Sequence, residues 1–195
     1  MLAAVILSAG ESRRMGSPKA LLPYHDQTFL EHLLDITTHP KIACQRVVLG
    51  AGAEEIIQRT GVERAKTVLN PDWREGQLSS IQCALRALAP QSPDGILLCL
   101  VDQPLITSAL VQSLIEAFYR SGKAVVLPVY RGRRGHPVIF SRRLFDELLA
   151  APLDKGAREV VRAHAQDVEE VPTEEEGCVL NLNDPATFRR ASGVN

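Results

Sequence analysis

The chain opens with a continuous apolar run, residues 2–7, which is typical of a strand that is buried on both faces of a parallel sheet. Apolar strand segments follow at 46–49, 67–69 and 95–101, and segments with helical spacing separate them. Strands and helices that alternate at this spacing predict a mainly parallel, doubly wound sheet. We therefore expect an α/β fold with three α/β/α layers.

The pattern changes after Pro128. The segment 130–135 is rich in arginine and glycine and is interpreted as an exposed turn, with 136–140 as the returning strand. This part of the sequence predicts a small β-hairpin insertion in the sheet. Farther along, the pattern predicts two helices, at 142–149 and 156–165, and two short strands, at 168–171 and 179–182.

Composition narrows the class of protein. The 195 residues fit one domain, so we expect a single domain spanning 1–195. With 22 Lys and Arg against 23 Asp and Glu, the net charge of −1 argues against a generically basic nucleic-acid binder. Four cysteines lie far apart, which argues against a zinc site and a disulfide scaffold. Apolar runs are too short for a membrane span and no signal peptide is visible, so we expect a cytoplasmic protein.

The loop after the first strand carries the strongest chemical signal. Ligands of open α/β sheets bind at the carboxyl ends of strands, where loops offer unpaired N–H groups. Here the loop combines the cations Arg13, Arg14 and Lys19 with backbone made flexible by Gly10 and Gly16, which suits a triphosphate. It matches neither a Walker A loop nor a G-x-G-x-x-G fingerprint. On composition alone, a solvated surface loop is an equally good interpretation.

The stretch LSAGESRRMGSPKALLP, residues 7–23, resembles the signature L-x-x-G-x-S-x-R-M-G-x-x-K-x-L-L-P of a group of nucleotidyltransferases. Within that group the chain most resembles the molybdenum cofactor cytidylyltransferases and guanylyltransferases. The resemblance continues over nearly the whole chain in five further motifs: Asn70-Pro71 with Gly76 and Ser79-Ser80, Asp102-Gln103-Pro104, Gly135-His136-Pro137-Val138, Asp154-Lys155-Gly156-Ala157-Arg158, and Asn181-Leu182-Asn183-Asp184-Pro185.

The resemblance implies a Rossmann-like nucleotidyltransferase sheet and a transfer of a nucleotidyl group from an NTP to a phosphate, with release of pyrophosphate. Residues 1–105 would then bind the NTP and residues 106–195 the acceptor, a molybdopterin-type phosphate. The catalytic residues would be Lys19 and Arg14, which face the phosphates, and Asp102. Nucleotide contacts are implied at Leu7, Ser8, Ala9, Gly10, Ser12, Arg14, Gly16, Lys19, Asn70, Gly76 and Ser80.

A Mg²⁺ site is expected at the end of the strand 95–101. Asp102 follows this very apolar strand, where a carboxylate without a partner would be costly, and Mg²⁺ takes one or two protein oxygens together with substrate phosphates. Asn183 would be the second ligand. The N-x-N motif at Asn181 and Asn183 departs from the D-x-D-T-P of the similar cytidylyltransferases and is closer to the guanylyltransferases. Either asparagine, or a strand end followed by a helix cap at Asp184, is compatible with this motif.

For the acceptor, the resemblance implies contacts from His136, Pro137, Arg134 and Asp154. A structural turn histidine is the alternative for His136. The arginines of the hairpin could meet the acceptor's phosphate or only keep the hairpin tip soluble. Because no aromatic residues are interleaved with these arginines, a nucleic-acid partner is not expected.

The choice of nucleotide depends on position 9. Similar cytidylyltransferases have Ala where Ala9 stands, whereas the guanylyltransferases usually have a second Gly, and the methyl group would narrow the slot for the base in favour of CTP. The N-x-N motif points instead to GTP. Two alternatives stay open: a nucleotidyltransferase that uses GTP or another phosphate acceptor, and a non-catalytic cofactor carrier. A molybdoenzyme or its maturation factor could be the protein's partner in either case.

Overall fold

The structure is a computed structural model that describes residues 1–12, 15–183 and 187. Its strands are β1 (Leu2–Ser8), β2 (Pro23–Tyr24), β3 (Gln27–Thr28), β4 (Ile42–Leu49), β5 (Thr67–Leu69), β6 (Gly95–Leu100), β7 (Val125–Tyr130), β8 (Arg133–Arg134), β9 (Val138–Ser141) and β10 (Val168–Pro172). Its α-helices are α1 (Phe29–Ile36), α2 (Ala53–Thr60), α3 (Gln77–Leu88), α4 (Ser108–Ser121), α5 (Phe145–Ala150) and α6 (Ala157–Ala163). Among the described residues, no helix has the length and apolarity needed to cross a membrane.

The main sheet has the strand order β10-β7-β9-β6-β1-β4-β5, and β8 pairs with β7. Strands β1, β4, β5, β6, β7 and β10 share one direction, whereas β9 is antiparallel to both β6 and β7. The predicted mainly parallel α/β sheet is therefore confirmed. The hairpin differs from its prediction: the predicted returning strand, 136–140, corresponds to β9, which pairs with both β7 and β6, and the predicted turn contains the short strand β8. Strands β7 and β8 form a tight hairpin whose two-residue turn has a positive φ at both Arg131 (47°) and Gly132 (76°), as tight hairpin turns require.

Helices cover both faces of the sheet because β1 is apolar on both sides. Leu2 and Ile6 face a cluster formed with α1, α2 and α4, while Ala3, Val5 and Leu7 face a second cluster formed with α3, α5 and α6. This alternation follows from the period of two of a strand. The three-layer architecture predicted from the apolar run at 2–7 is confirmed.

Helix α4 begins and ends where its sequence signals lie. The Thr107 hydroxyl accepts a hydrogen bond from the Leu110 N–H at 3.2 Å, and Gly122, with φ of 62°, closes the last turn. Asp102 lies in the connection between β6 and α4.

The prediction of a strand at 179–182 is wrong. The Leu182 N–H donates to the Asp102 carbonyl at 2.7 Å, and the Cys178 carbonyl accepts from the His136 N–H at 2.8 Å. The backbone groups that would join a sheet are thus used to bind loops. We call residues 175–183 the crossing segment, because they pass the loops that follow β6 and precede β9.

Two glycines let the crossing segment approach these loops. A Cβ added to Gly177 would lie 2.5 Å from the Leu105 carbonyl oxygen, and one added to Gly135 would meet the Cys178 carbonyl oxygen. No side chain fits at such a separation without a backbone shift. The backbone of the crossing segment is therefore in direct contact with the loops at this edge of the sheet.

We predict that Gly177→Ala destabilises the protein by about 1–3 kcal/mol, since the added methyl group overpacks a site that is closed by backbone. Gly10→Ala is the matched control: nothing lies within 4 Å of its added Cβ. Denaturant unfolding of both variants gives the comparison. Equal stabilities of the two variants would mean that the crossing segment is not closely packed.

Candidate active site

A cavity of about 580 Å³ opens beside the carboxyl ends of β1 and β6. Parallel strands place their following loops at one edge, so the loops after β1, β5 and β6 all contribute to its wall. The residues that line it are Leu7, Ser8, Ala9, Gly10, Glu11, Ser12, Pro18, Lys19, Ile56, Trp73, Arg74, Gly76, Gln77, Ser80, Leu100, Val101, Asp102 and Asn181.

The loop after β1 folds back on itself and returns Lys19 to the strand end. Ser12 adopts a positive φ of 52°, and its hydroxyl oxygen accepts a hydrogen bond from the Lys19 N–H at 3.1 Å. The Lys19 carbonyl then accepts from the Leu22 N–H at 3.0 Å in a short 3₁₀ turn. These bonds fix the backbone of Lys19, so only its side chain is free to change direction.

The Lys19 ammonium joins two distant parts of the chain. Its Nζ lies 3.1 Å from Asp102 Oδ2 and 2.5 Å from Asn183 Oδ1. The side chains of Lys19 and Asp102 are only 14% and 21% exposed, so this ion pair is partly shielded from solvent and stronger than a surface pair. Two of the residues predicted to be catalytic, Lys19 and Asp102, are therefore in contact.

Gln103 holds the crossing segment beside Asp102. Its Nε2 donates to Asn181 Oδ1 at 2.5 Å, and the side chain is buried. Its Oε1 is buried and has no hydrogen-bond partner among the described residues. Together with the bond from the Leu182 N–H to the Asp102 carbonyl, Gln103 places both asparagines of the N-x-N motif at the end of β6.

The side-chain oxygens of Asp102 and Asn183 suit a hard divalent cation. Asp102 Oδ2 and Asn183 Oδ1 converge on one point, the Lys19 ammonium, so they can converge equally on a cation. Among residues 1–12, 15–183 and 187, no three His, Cys, Asp or Glu side chains lie close enough together to bind one metal ion. The described residues therefore do not form a metal site in which the protein supplies every ligand. One carboxylate and one amide fit an ion that completes its shell with water and substrate phosphates.

The wall formed by the loop after β5 contains Trp73. The indole packs so closely against Gly50 that a Cβ there would lie 2.6 Å from the Trp73 ring, and the Arg74 guanidinium lies 4.3 Å from the centre of that ring. Sequence reasoning did not select Trp73 or Arg74 as site residues. The available signal was their position between β5 and α3, at the same edge of the sheet as Lys19.

Asn70 lies beneath the cavity wall. It is buried, and its amide nitrogen donates to the Ser79 and Ser80 hydroxyls at 2.9 and 3.0 Å while its oxygen accepts from the Asp72 N–H. These bonds order the start of α3, which presents Gly76 and Ser80 to the cavity. Of the other residues predicted to bind nucleotide, Gly16 does not line the cavity, and Arg14 lies outside the described residues.

His136 precedes β9, which begins beside the end of β6. Burial lowers the pKa of His136 to about 4, and the negative charge of Asp102 opposes this shift. The imidazole is therefore neutral at pH 7 and near enough to Asp102 to be affected by its charge. Pro137 is buried behind it and follows a cis peptide bond.

Arg134 and Asp154 are exposed and do not line the cavity. The Arg134 guanidinium pairs with the Glu170 carboxylate at 2.7 Å, which joins the hairpin to β10. Asp154 lies in the loop before α6. The structure thus places two of the four predicted acceptor residues, His136 and Pro137, next to the Asp102 loop and the other two on the surface.

The fold and the site are those of a nucleotidyltransferase: a mainly parallel sheet with a cavity of about 580 Å³, and a lysine and a carboxylate at the strand ends that line it. Residues 4–168 match the family described as the MobA-like NTP transferase domain. The chain belongs to this family and is an enzyme of the nucleotidyltransferase class. The predicted relationship to molybdenum cofactor nucleotidyltransferases is confirmed.

The curated relatives are named for different activities. A protein named nicotine blue oxidoreductase, from Paenarthrobacter nicotinovorans, is 33% identical over 81% of this chain and 80% of its own length. A probable molybdenum cofactor guanylyltransferase from Mycobacterium marinum is 30% identical over 95% and 90% of the two chains. The molybdenum cofactor cytidylyltransferase of Escherichia coli is 25% identical over 94% and 92%.

Solved structures agree with the fold. The crystal structure of Rv0371c from Mycobacterium tuberculosis H37Rv superposes with a TM-score of 0.85 at 30% identity and covers 98% of this chain and 97% of that one. A second structure of that protein, titled as a complex with manganese, has a TM-score of 0.80 at 28% identity and covers 100% and 99% of the two chains.

We predict that Asp102→Asn lowers turnover by at least about 100-fold, since the carboxylate that would hold a divalent cation against substrate phosphates is replaced by a neutral amide. Asp35→Asn is the matched control, because Asp35 is exposed on α1 and lies outside the cavity wall. Steady-state assays of both variants test this. Activity of Asp102→Asn within tenfold of the wild type would remove Asp102 from the mechanism.

Proposed function

We propose that the protein transfers a nucleotidyl group, CMP in preference, from an NTP to the phosphate of molybdenum-bound molybdopterin. The observation that carries the proposal is the contact of the Lys19 ammonium with Asp102 at the wall of the cavity. A cation and a carboxylate at this edge of the sheet are the pair that a triphosphate and its metal require. The NTP would occupy the part formed by 1–105, and the acceptor the part formed by 106–195.

The reaction needs no strong base. A phosphate monoester has a second pKa of about 6, so an acceptor phosphate is already largely ionised at neutral pH. One of its oxygens attacks the α-phosphorus, the new P–O bond forms a diphosphate bridge, and the bond to the β-phosphate breaks with release of pyrophosphate. The chain's own work is alignment and neutralisation of charge.

Each part of the wall has a role in this reaction. The N–H groups of the loop after β1 direct the phosphates, and the Lys19 ammonium neutralises the charge that builds up on them. Asp102 and Asn183 would hold a divalent metal, which we propose to be Mg²⁺ and which supplies further neutralisation when bound. The solved structure of a relative as a complex with manganese supports such a site.

Ala9 supports the choice of CTP. The residue is buried, lines the cavity, and its carbonyl accepts a hydrogen bond from the Ala51 N–H at 3.1 Å. This hydrogen bond holds the backbone at Ala9 in place, so the Ala9 methyl group cannot move away from a bound base. GTP is the alternative, which the names of the mycobacterial relatives favour.

On the acceptor side we propose His136 and Pro137, with Arg134 and Asp154 as more distant contacts. His136 supports this best, because it lies near Asp102 and carries no charge that would disturb a metal. Contacts with these two residues would need an acceptor that extends beyond the cavity, to the hairpin for Arg134 and to the loop before α6 for Asp154. We further propose that the enzyme works in the cytoplasm, where NTPs are available, and passes its product to a molybdoenzyme or maturation factor.

The competing functions predict different results in assays of the reaction products. A non-catalytic carrier would bind the cofactor without releasing pyrophosphate, and the Lys19–Asp102 pair argues against it. The relative named as an oxidoreductase makes a redox reaction a further outcome to test. An assay of pyrophosphate release with each of the four NTPs and molybdopterin as acceptor, run beside an assay of reduced nicotinamide dinucleotide consumption, separates the three functions.

We expect pyrophosphate release that depends on both the acceptor and CTP. Release with GTP alone among the four would correct the nucleotide but keep the reaction. Consumption of the reduced dinucleotide without pyrophosphate release would instead overturn the proposed function.

Lys19→Ala tests the role of the ammonium. We predict that it lowers kcat by about 100-fold or more, with a smaller change in KM, because the charge acts mainly in the transition state. Lys41→Ala, which removes a lysine outside the cavity wall, serves as control. If Lys19→Ala raises KM and leaves kcat intact, Lys19 only binds the substrate.

Ala9→Gly tests the steric origin of the nucleotide preference. Removal of one methyl group should shift the ratio of kcat/KM for CTP over GTP toward GTP by about 10-fold, the low end of what such a group supplies. The measurement is the pair of kcat/KM values for wild type and variant. A wild type that prefers GTP contradicts the proposal of CTP, and an unchanged ratio contradicts the steric cause.

A further inference from the structure

The Lys19 ammonium contacts the same two oxygens that would hold the metal. Its Nζ lies 3.1 Å from Asp102 Oδ2 and 2.5 Å from Asn183 Oδ1. An ammonium and a metal ion at one pair of oxygens would lie within about 4 Å of each other, where like charges repel strongly in a partly buried site. Lys19 and the metal therefore compete for this pair.

The side chain of Lys19 is able to leave. Its backbone is fixed through the Ser12 hydroxyl and the 3₁₀ turn, but the ammonium is carried on a flexible four-carbon stem. The cavity of about 580 Å³ lies directly beside it. The ammonium can thus turn from Asp102 into the space that a triphosphate would occupy without any movement of the backbone.

The charged residues of the cavity wall indicate what would draw the Lys19 ammonium away from Asp102. The charged side chains among its described residues are Glu11, Lys19, Arg74 and Asp102, and their charges sum to zero. A divalent ion that approaches this neutral set meets an ammonium and gains little net attraction. A triphosphate adds several negative charges, which can bind the ammonium and the metal together.

We propose that Lys19 is a displaceable internal cation that occupies the Asp102–Asn183 pair until a nucleotide draws it away. Metal binding then follows or accompanies nucleotide binding. The proposal rests on the proposed function, because it takes an NTP as the ligand of the cavity. It also gives Lys19 a second role, since the same charge that neutralises the phosphates excludes a metal from the nucleotide-free enzyme.

The test is the affinity of the nucleotide-free protein for Mn²⁺, measured from the electron paramagnetic resonance signal of the free ion. Lys19→Met removes the charge and keeps the length of the side chain. Lys66→Met is the matched control, because it changes the net charge equally and Lys66 pairs with Glu63 outside the cavity wall. Lys19→Gln repeats the test should Lys19→Met fold poorly by circular dichroism.

We expect Lys19→Met to bind Mn²⁺ at least about tenfold more tightly than the wild type, and Lys66→Met to remain within about twofold of it. Asp102→Asn in the Lys19→Met background should abolish the gain. An affinity of Lys19→Met equal to that of the wild type would overturn the proposal.

Two further results keep this proposal separate from the proposed function. If Asp102→Asn weakens Mn²⁺ binding but Lys19→Met does not strengthen it, the metal ligand is correct and only the displaceable cation is wrong. If the gain persists without the Asp102 carboxylate, the ammonium does not guard that site and the proposal is again wrong. Pyrophosphate release, measured independently, decides the reaction itself.

Discussion

The ion pair between Lys19 and Asp102 connects the parts of the chain on which the site depends. Because β1 and β6 are parallel neighbours, the loops that follow them leave the sheet at the same edge, and the two charges meet at 3.1 Å. Asn183 joins them from the crossing segment, more than 160 residues beyond Lys19. The pair lines the cavity, includes the proposed metal ligand Asp102 and lies near enough to His136 for the Asp102 charge to affect it.

Much of the fold was predictable because local signals and tertiary structure agree. The apolar run at 2–7 corresponds to β1, and α4 begins after a threonine and ends at a glycine, Thr107 and Gly122, which are residue types typical of helix ends. That Lys19 and Asp102 lie close together was predictable because parallel topology requires loops after strands to share an edge, whereas their expected catalytic roles came from the resemblance to the family. A strand or helix can be predicted from the sequence when the residues that determine it lie within that element or at its ends.

The crossing segment and the wall at Trp73 show where that reasoning ends. Residues 179–182 have the composition of a strand, but their backbone binds Asp102, a partner that no local pattern reveals. Trp73 enters the wall through its contact with Gly50, which depends on how two loops pack. Asn70, predicted to bind nucleotide, also orders the start of α3 through two serines, and only the hydrogen bonds of the structure show this role.

Transfer of a labelled α-phosphate tests the central claim most directly. The protein would be incubated with CTP labelled at the α-phosphorus and with molybdopterin, and the products separated. If the cavity performs nucleotidyl transfer, the label appears in the acceptor in an amount equal to the pyrophosphate released. Label that stays in CTP when α-labelled GTP also transfers none, or that appears only as free CMP, would contradict nucleotidyl transfer to this acceptor and leave a binding protein or a hydrolase.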